Sequence, residues 1–224
     1  VEGQAARDLS RFFAPEVAAK ITRTDRQIRA GEGEVREAAI LTLDLRGFTA
    51  LSMALPAPQV LALLAEYQAR VVPVIQAHGG SIDKFLGDGI MATFGAALPT
   101  GRHAADALRA VAAITEAIDA WNGERAVAGQ PPVRVGAAVC AGPVLFGAVG
   151  DETRLEYTVI GEAVNLAAKL EKHTKVEGVR ALCTRTALEL AEQQGHRLAQ
   201  PYRQLTGRAV EGVTCPLDLV VLVE

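Results

Sequence analysis

Residues 81–94, SIDKFLGDGIMATF, constrain the fold more than any other stretch. Two apolar runs, 81–86 and 90–94, flank Gly87-Asp88-Gly89. Asp-Gly between strand-like runs is a strong short-hairpin signal. Turn chemistry alone explains an Asp at a hairpin tip. What sets this one apart is a second Asp upstream, in Leu41-Thr42-Leu43-Asp44-Leu45-Arg46-Gly47-Phe48-Thr49, where a strand-like run over 38–45 ends in a Gly-containing turn. Residues 56–77 are apolar-periodic and read as a helix joining the two strands. A strand–helix–strand crossover sets those strands parallel, so the end of the first and the hairpin tip share one sheet edge. Asp44 and Asp88 therefore converge. Two carboxylates beside a Gly-rich turn with free N–H groups suit Mg²⁺ and a polyphosphate.

The rest of the chain fits around that pair. Residues 1–36 are more charged than the remainder of the chain. Leu9, Phe12, Phe13, Val17 and Ile21 have roughly helical spacing interrupted by Pro15, and 22–36 is a polar, Gly-containing linker. The main domain spans 37–224. Residues 37–45 form its first strand, and Gly79-Gly80 ends the first long helix, with His78 as a C-terminal cap. Residues 101–122 are an Ala-rich second helix with Trp121 as a packing anchor. Residues 133–140 and 144–149 read as a strand pair around Ala141-Gly142-Pro143, and 150–156 as a charged, protruding loop. A helix at 161–171, a strand at 179–183, a helix at 184–193 and strands near 196–206 and 213–222 complete the chain. The order is β-α-β-β-α-β with extra C-terminal strands, an α+β fold with a ferredoxin-like core.

Composition narrows the function. Half of the 224 residues are hydrophobic and 4% aromatic, so the core is largely Ala, Val, Leu and Ile. The net charge of −3 gives no general footprint for nucleic acid. No apolar run reads as long enough to span a bilayer. Cys140, Cys183 and Cys215 lack metal-ligand spacing and read as buried, reduced thiols, which points to the cytoplasm.

Four stretches carry a resemblance: LTLDLRGFT (41–49), DKFLGDGIMATF (83–94), VRVGAAVCAGPVLFGAVG (133–150) and YTVIGEAVNLAAKLE (157–171). In this order they are similar to the catalytic domain of class III nucleotidyl cyclases, the adenylate/guanylate cyclase family. The resemblance covers most of 37–224. LSRFFAPEVAAKI resembles segments that precede cyclase domains in bacterial sensor proteins. The N-terminal stretch is therefore either a transducer from an upstream sensor or a segment that simply packs on the domain.

The resemblance implies roles residue by residue. Asp44 and Asp88, with the carbonyl of Leu45, would hold two Mg²⁺ ions per site, with Mn²⁺ able to substitute. Amides of Arg46, Gly47, Phe48 and Thr49 would hold phosphate oxygens. Lys84 matches the residue that recognises adenine, where guanylate cyclases usually carry Glu. Thr158 matches the second base contact, as in a Thr-bearing bacterial subgroup. Asn165 matches the ribose-orienting Asn, and the two base contacts, Asn165 and the metal pair come from different subunits of a head-to-tail homodimer. Lys169 stands where an Arg usually stabilises the pentavalent phosphorus, and Arg and Lys are not equivalent there. Glu211 stands where a basic residue often precedes Gly212, with Arg208 as either a substitute or a surface charge.

The expectation is an adenylate cyclase that makes 3′,5′-cyclic AMP and pyrophosphate from ATP. The rival from another class is a degenerate cyclase-homology module that binds nucleotide or only dimerises, favoured by Lys169 and Glu211. Lys84 disfavours a guanylate cyclase. The Gly-Gly-Asp/Glu-Glu-Phe turn of a diguanylate cyclase is missing, and the acidic balance disfavours a polymerase palm.

Overall fold

The computed structural model describes residues 4, 7, 8, 10–23, 28–198 and 200–224; Leu9, residues 24–27 and residue 199, which fall in the expected N-terminal helix, linker and penultimate strand, lie outside them. In chain order the elements are α1 (Pro15–Arg23), β1 (Gly33–Leu45), α2 (Phe48–Ala54), α3 (Ala57–Ala77), β2 (Gly80–Leu86), β3 (Gly89–Phe94) and α4 (His103–Val127). β4 (Val135–Gly150), β5 (Leu155–Ile160), α5 (Glu162–Glu177), β6 (Ala181–Thr184), α6 (Arg185–Gln193), β7 (Arg203–Arg208) and β8 (Leu217–Val223) come next.

Among the described residues the strands form one eight-stranded sheet in the order β2-β3-β1-β4-β6-β8-β7, with β5 on β4. The first four in that order are the expected ferredoxin-like core, antiparallel at each step. β1 and β2 run parallel as the crossover requires, with β3 between them. Along β1, odd positions Leu41, Leu43 and Leu45 face α3 and α4, which present Tyr67, Val71, Ile75, Leu108 and Trp121. The even position Ile40 faces α5 and α1, which present Ala167, Leu170 and Val17. This alternation is what a sheet covered on both faces requires. It sends Asp44 and Arg46 to the α5 side.

Several expectations are corrected. Residues 133–149 are not a strand pair: β4 runs unbroken through Gly142-Pro143, because β1 pairs with it from Val135 to Gly147. Pro143 is tolerated there since the other edge of β4 is taken by β6 only up to Val139 and by β5 only from Leu145. β1 starts at Gly33, four residues before the expected strand start at residue 37. α5 runs on to Glu177 and ends at Gly178 in the left-handed region, a glycine C-cap. The hairpin loop is Gly87-Asp88, since Leu86 pairs with Gly89. Its φ of 63° is at Gly87, where a type II′ turn puts glycine, so Asp-Gly was the wrong dipeptide although the same Asp sits at the tip. Cys215 is exposed, unlike buried Cys140 and Cys183. Finally, α3 has 21 residues with mean hydropathy 1.2, long and apolar enough to cross a membrane. Here Leu63, Tyr67, Val71 and Ile75 face the core while Glu66 and Arg70 reach Trp121 and Glu124 on α4.

Candidate active site

Asp44 ends β1 and Asp88 tips the β2–β3 hairpin. Register brings them together, since Leu43 pairs with Ile90. The Leu45 N–H donates to Asp88 Oδ2 at 3.1 Å, and the Asp88 carboxyl lies near enough to Asp44 to act on its titration. Burial first, and then the Asp88 carboxyl and the charge of Glu171, push Asp44 up to about 7. Two carboxylates held this closely share a proton unless a cation separates them. Their hard oxygens fit a divalent ion such as Mg²⁺.

Arg46 does not face the space between the carboxylates. Its N–H donates to the Arg134 carbonyl at 2.8 Å, and its guanidinium donates to Thr174 Oγ1 at 2.8 Å and to the Val179 carbonyl. It ties the end of β1 to α5. Gly47, at φ 73°, turns the chain into α2, and the first-turn amides of Phe48 and Thr49 have no acceptor within that helix. Sequence reasoning missed Glu171. Its side chain is buried, and its Oε1 has no hydrogen-bond partner among the described residues. Gly136, opposite Asp44 on β4, makes room for it: a Cβ there would stand 2.4 Å from Glu171 Oε1.

Lys84 and Thr158 come from β2 and β5 and meet at a third residue, also missed. Thr158 Oγ1 donates to Asp83 Oδ2 at 2.7 Å, and Lys84 Nζ lies 3.7 Å from the same oxygen and 3.6 Å from Glu156 Oε2. Burial raises Asp83, opposed by the Thr158 hydrogen bond and the Lys84 charge. These residues line a cavity of about 970 Å³, closed on one side by 10–18 of the N-terminal stretch. Helix α1 is pinned beside it: Ser81 Oγ donates to Glu16 Oε2 at 2.9 Å, and Lys20 Nζ lies 5.3 Å from the Tyr157 ring centroid.

Asn165 and Lys169 lie one turn apart on α5, as their spacing requires. Asn165 is exposed. Lys169 Nζ donates to the Gly212 carbonyl in the β7–β8 connection, beside exposed Glu211. Arg208 is an ion-pair partner of Glu177 at 3.4 Å. The structure thus gathers three groups, at the β1–hairpin edge, the β2–β5 cavity and the α5 face.

The model of the adenylate and guanylate cyclase catalytic domain matches residues 32–208. Over 165 residues the chain is 35% identical to an adenylate cyclase of Anabaena cylindrica, covering 72% of this chain and 32% of that protein, so it spans about a third of that relative. Among solved structures, the guanylyl cyclase Cya2 superposes with a TM-score of 0.74 at 32% identity, covering 85% of this chain and 93% of that one. The adenylyl cyclase CyaB from P. aeruginosa also gives 0.74, at 27% identity, covering 86% and 96%. These two solved relatives, whose names give different nucleotides, superpose on the chain equally well.

Proposed function

The chain belongs to the adenylate and guanylate cyclase catalytic-domain family, and on that premise we propose that it converts ATP to 3′,5′-cyclic AMP and pyrophosphate at composite sites of a homodimer. The observation that carries the adenine reading is the meeting of Lys84 and Thr158 in one cavity. A Lys ammonium only donates and so suits the adenine N1 acceptor; a Thr oxygen can accept from the 6-amino group.

Asp44, Asp88 and the Leu45 carbonyl would hold Mg²⁺, with Mn²⁺ a chemically similar occupant. Two such ions would lower the pKa of the ribose 3′-hydroxyl and offset the charge of the departing pyrophosphate. The chain's own groups position the rest. Amides of Gly47, Phe48 and Thr49 are the donors available to phosphate oxygens, whereas the Arg46 amide and guanidinium are already engaged. Asn165 orients the ribose. Lys169 meets the charge that develops around the α-phosphorus as a point charge, not a planar fork. The metal pair comes from one protomer, and Lys84, Thr158, Asn165 and Lys169 from its partner. Exposed apolar side chains on the hairpin and the β4–β5 arm, Phe85, Leu86, Val149 and Ile160, support an interface there. The same proposal puts the activity in the cytoplasm, where ATP and Mg²⁺ are abundant, and gives the parent protein an upstream sensor.

The test is cyclic nucleotide formed from ATP and, separately, from GTP, with Mg²⁺ and then Mn²⁺, across protein concentration. Cyclic AMP rising faster than linearly with protein is expected, and Asp44→Ala should abolish it with the fold retained. Undiminished turnover by that variant would refute the metal assignment. A second reading, a nucleotide-binding regulatory module, is favoured by Lys169 being engaged on the Gly212 carbonyl. A chain that binds ATP–Mg²⁺ and never releases pyrophosphate selects it.

A further inference from the structure

β2 carries one residue more than β3 at its centre. Ile82 pairs with Ala92 and Lys84 with Met91, so Asp83 is the extra residue of a β-bulge. Bulges re-aim side chains next to functional sites. This one brings the Asp83 carboxylate, with 4% of its side chain exposed, to the Thr158 hydroxyl on β5 and leaves Lys84 Nζ 3.7 Å from the same carboxylate oxygen. An ionised carboxylate has only acceptors; burial raises Asp83, and the Thr158 hydrogen bond and the Lys84 ammonium 3.7 Å away act against burial by favouring that form. Thr158 has one hydroxyl hydrogen, and it is committed to Asp83 at 2.7 Å.

A threonine with a free hydroxyl does not read the edge of a purine, because it rotates to donate to a carbonyl or to accept from an amine. Committed to Asp83, Thr158 has only lone pairs left for the cavity. Adenine presents an amino donor at position 6 and an acceptor at N1. Guanine presents an oxygen acceptor and an N1–H donor, the reverse on both atoms. We propose that Asp83 is the specificity-positioning residue of the base site: by taking the Thr158 hydroxyl hydrogen it makes that oxygen an obligate acceptor, which suits the adenine 6-amino group and turns away the guanine 6-oxygen. Selectivity then resides in the bulge triad of Asp83, Lys84 and Thr158, part of it repulsive towards the wrong base. This rests on the reading of Lys84 and Thr158 as base contacts.

The experiment compares kcat/KM for ATP and for GTP in the wild-type chain, Asp83→Asn, Thr158→Val and the double variant. Dissociation constants for both nucleotides with Mg²⁺, by displacement of a fluorescent ATP analogue, are read alongside. An Asn amide can donate to Thr158 Oγ1 and release its hydrogen towards the cavity. Asp83→Asn should therefore lower the ATP-to-GTP ratio by about tenfold, the size of one hydrogen bond, chiefly by improving GTP. In the Thr158→Val background the same change should leave the ratio unmoved, which a merely structural role of Asp83 would not produce. An unchanged ratio in a folded Asp83→Asn chain that still prefers ATP overturns the proposal and leaves the adenylate reading standing. If Asp83→Asn does not fold, Thr158→Val alone decides, since a ratio it leaves intact shows that the hydroxyl is not read. A wild-type chain that prefers GTP in both turnover and binding overturns the adenylate reading, and the proposal with it.

Discussion

At the scale of single residues, Asp44 makes the sharpest prediction. Its carboxyl lies at about 7 in the folded chain against 3.8 for an unperturbed group, raised by burial, Asp88 and Glu171 and lowered by Lys175. Between those values the folded metal-free chain holds a proton that the unfolded chain has lost. The stability contributed by this group is thus present below about pH 4 and lost as the pH rises through about 7. Discounted for solvent screening at this half-exposed site, the effect is about 1–2 kcal/mol. Asp44→Asn should flatten the fall in Tm of the metal-free chain between pH 5 and 8 (on the order of a few degrees) while abolishing cyclic AMP formation. Identical melting curves for the two chains would show that the carboxylates do not strain each other. Lys169 gives a second test. If Lys169 meets transition-state charge as proposed, Lys169→Arg supplies a planar fork there, so kcat should rise by about tenfold with KM for ATP little changed. The approach of Asp44 to Asp88 was legible because strand, turn and crossover patterns fix it, whereas Lys84 and Thr158 were singled out by the family resemblance alone. Asp83 and Glu171 were not legible. A bulge and the pitch of α5 decide where those side chains go, and neither has a signature in local residue types.

Elements show why the N-terminal stretch was ambiguous in sequence. Val17 in α1 is buried with Ile40, Met91 and Phe146, and Glu16 and Lys20 reach Ser81 on β2 and Tyr157 on β5. Those two strands carry Lys84 and Thr158. Helix α1 is therefore positioned to set the width of the cavity they line. Val17→Asp would bury an unpaired carboxylate at a cost of about 3 kcal/mol, enough to detach so short a helix. Steady-state kinetics should then show KM for ATP changing more than kcat; an unchanged KM would mean that α1 is packing alone. β4 teaches the opposite lesson. Gly142-Pro143 is a strong breaker signal in sequence, yet the strand runs through it. A full ladder to β1 on one edge outweighs a proline whose missing N–H faces a gap on the other.

For the whole molecule, the composite-site reading predicts complementation. Asp44→Ala and Asn165→Ala each disable one half-site, and mixing them gives heterodimers with one intact site of two. Equal mixtures should recover about one quarter of wild-type cyclic AMP formation if protomers exchange at random. No recovery after exchange, with each variant folded and dimeric, would place both halves of the site in one protomer. Apolar side chains left exposed on the hairpin and arm, Phe85 and Ile160 among them, are the surface such a dimer would cover.

The sequence by itself determined the α+β class, the βαββαβ order and the convergence of Asp44 with Asp88. These come from hydrophobic period, turn residues and the handed crossover, all local or topological rules. Tertiary structure alone decided that the Arg46 guanidinium reaches Thr174 on α5, that Gly136 makes room for Glu171, and that Asp83 meets both Lys84 and Thr158. Each of those depends on side chains from elements distant in sequence meeting within hydrogen-bond reach. That meeting is set by register, bulge and helix pitch, which only the packed core fixes.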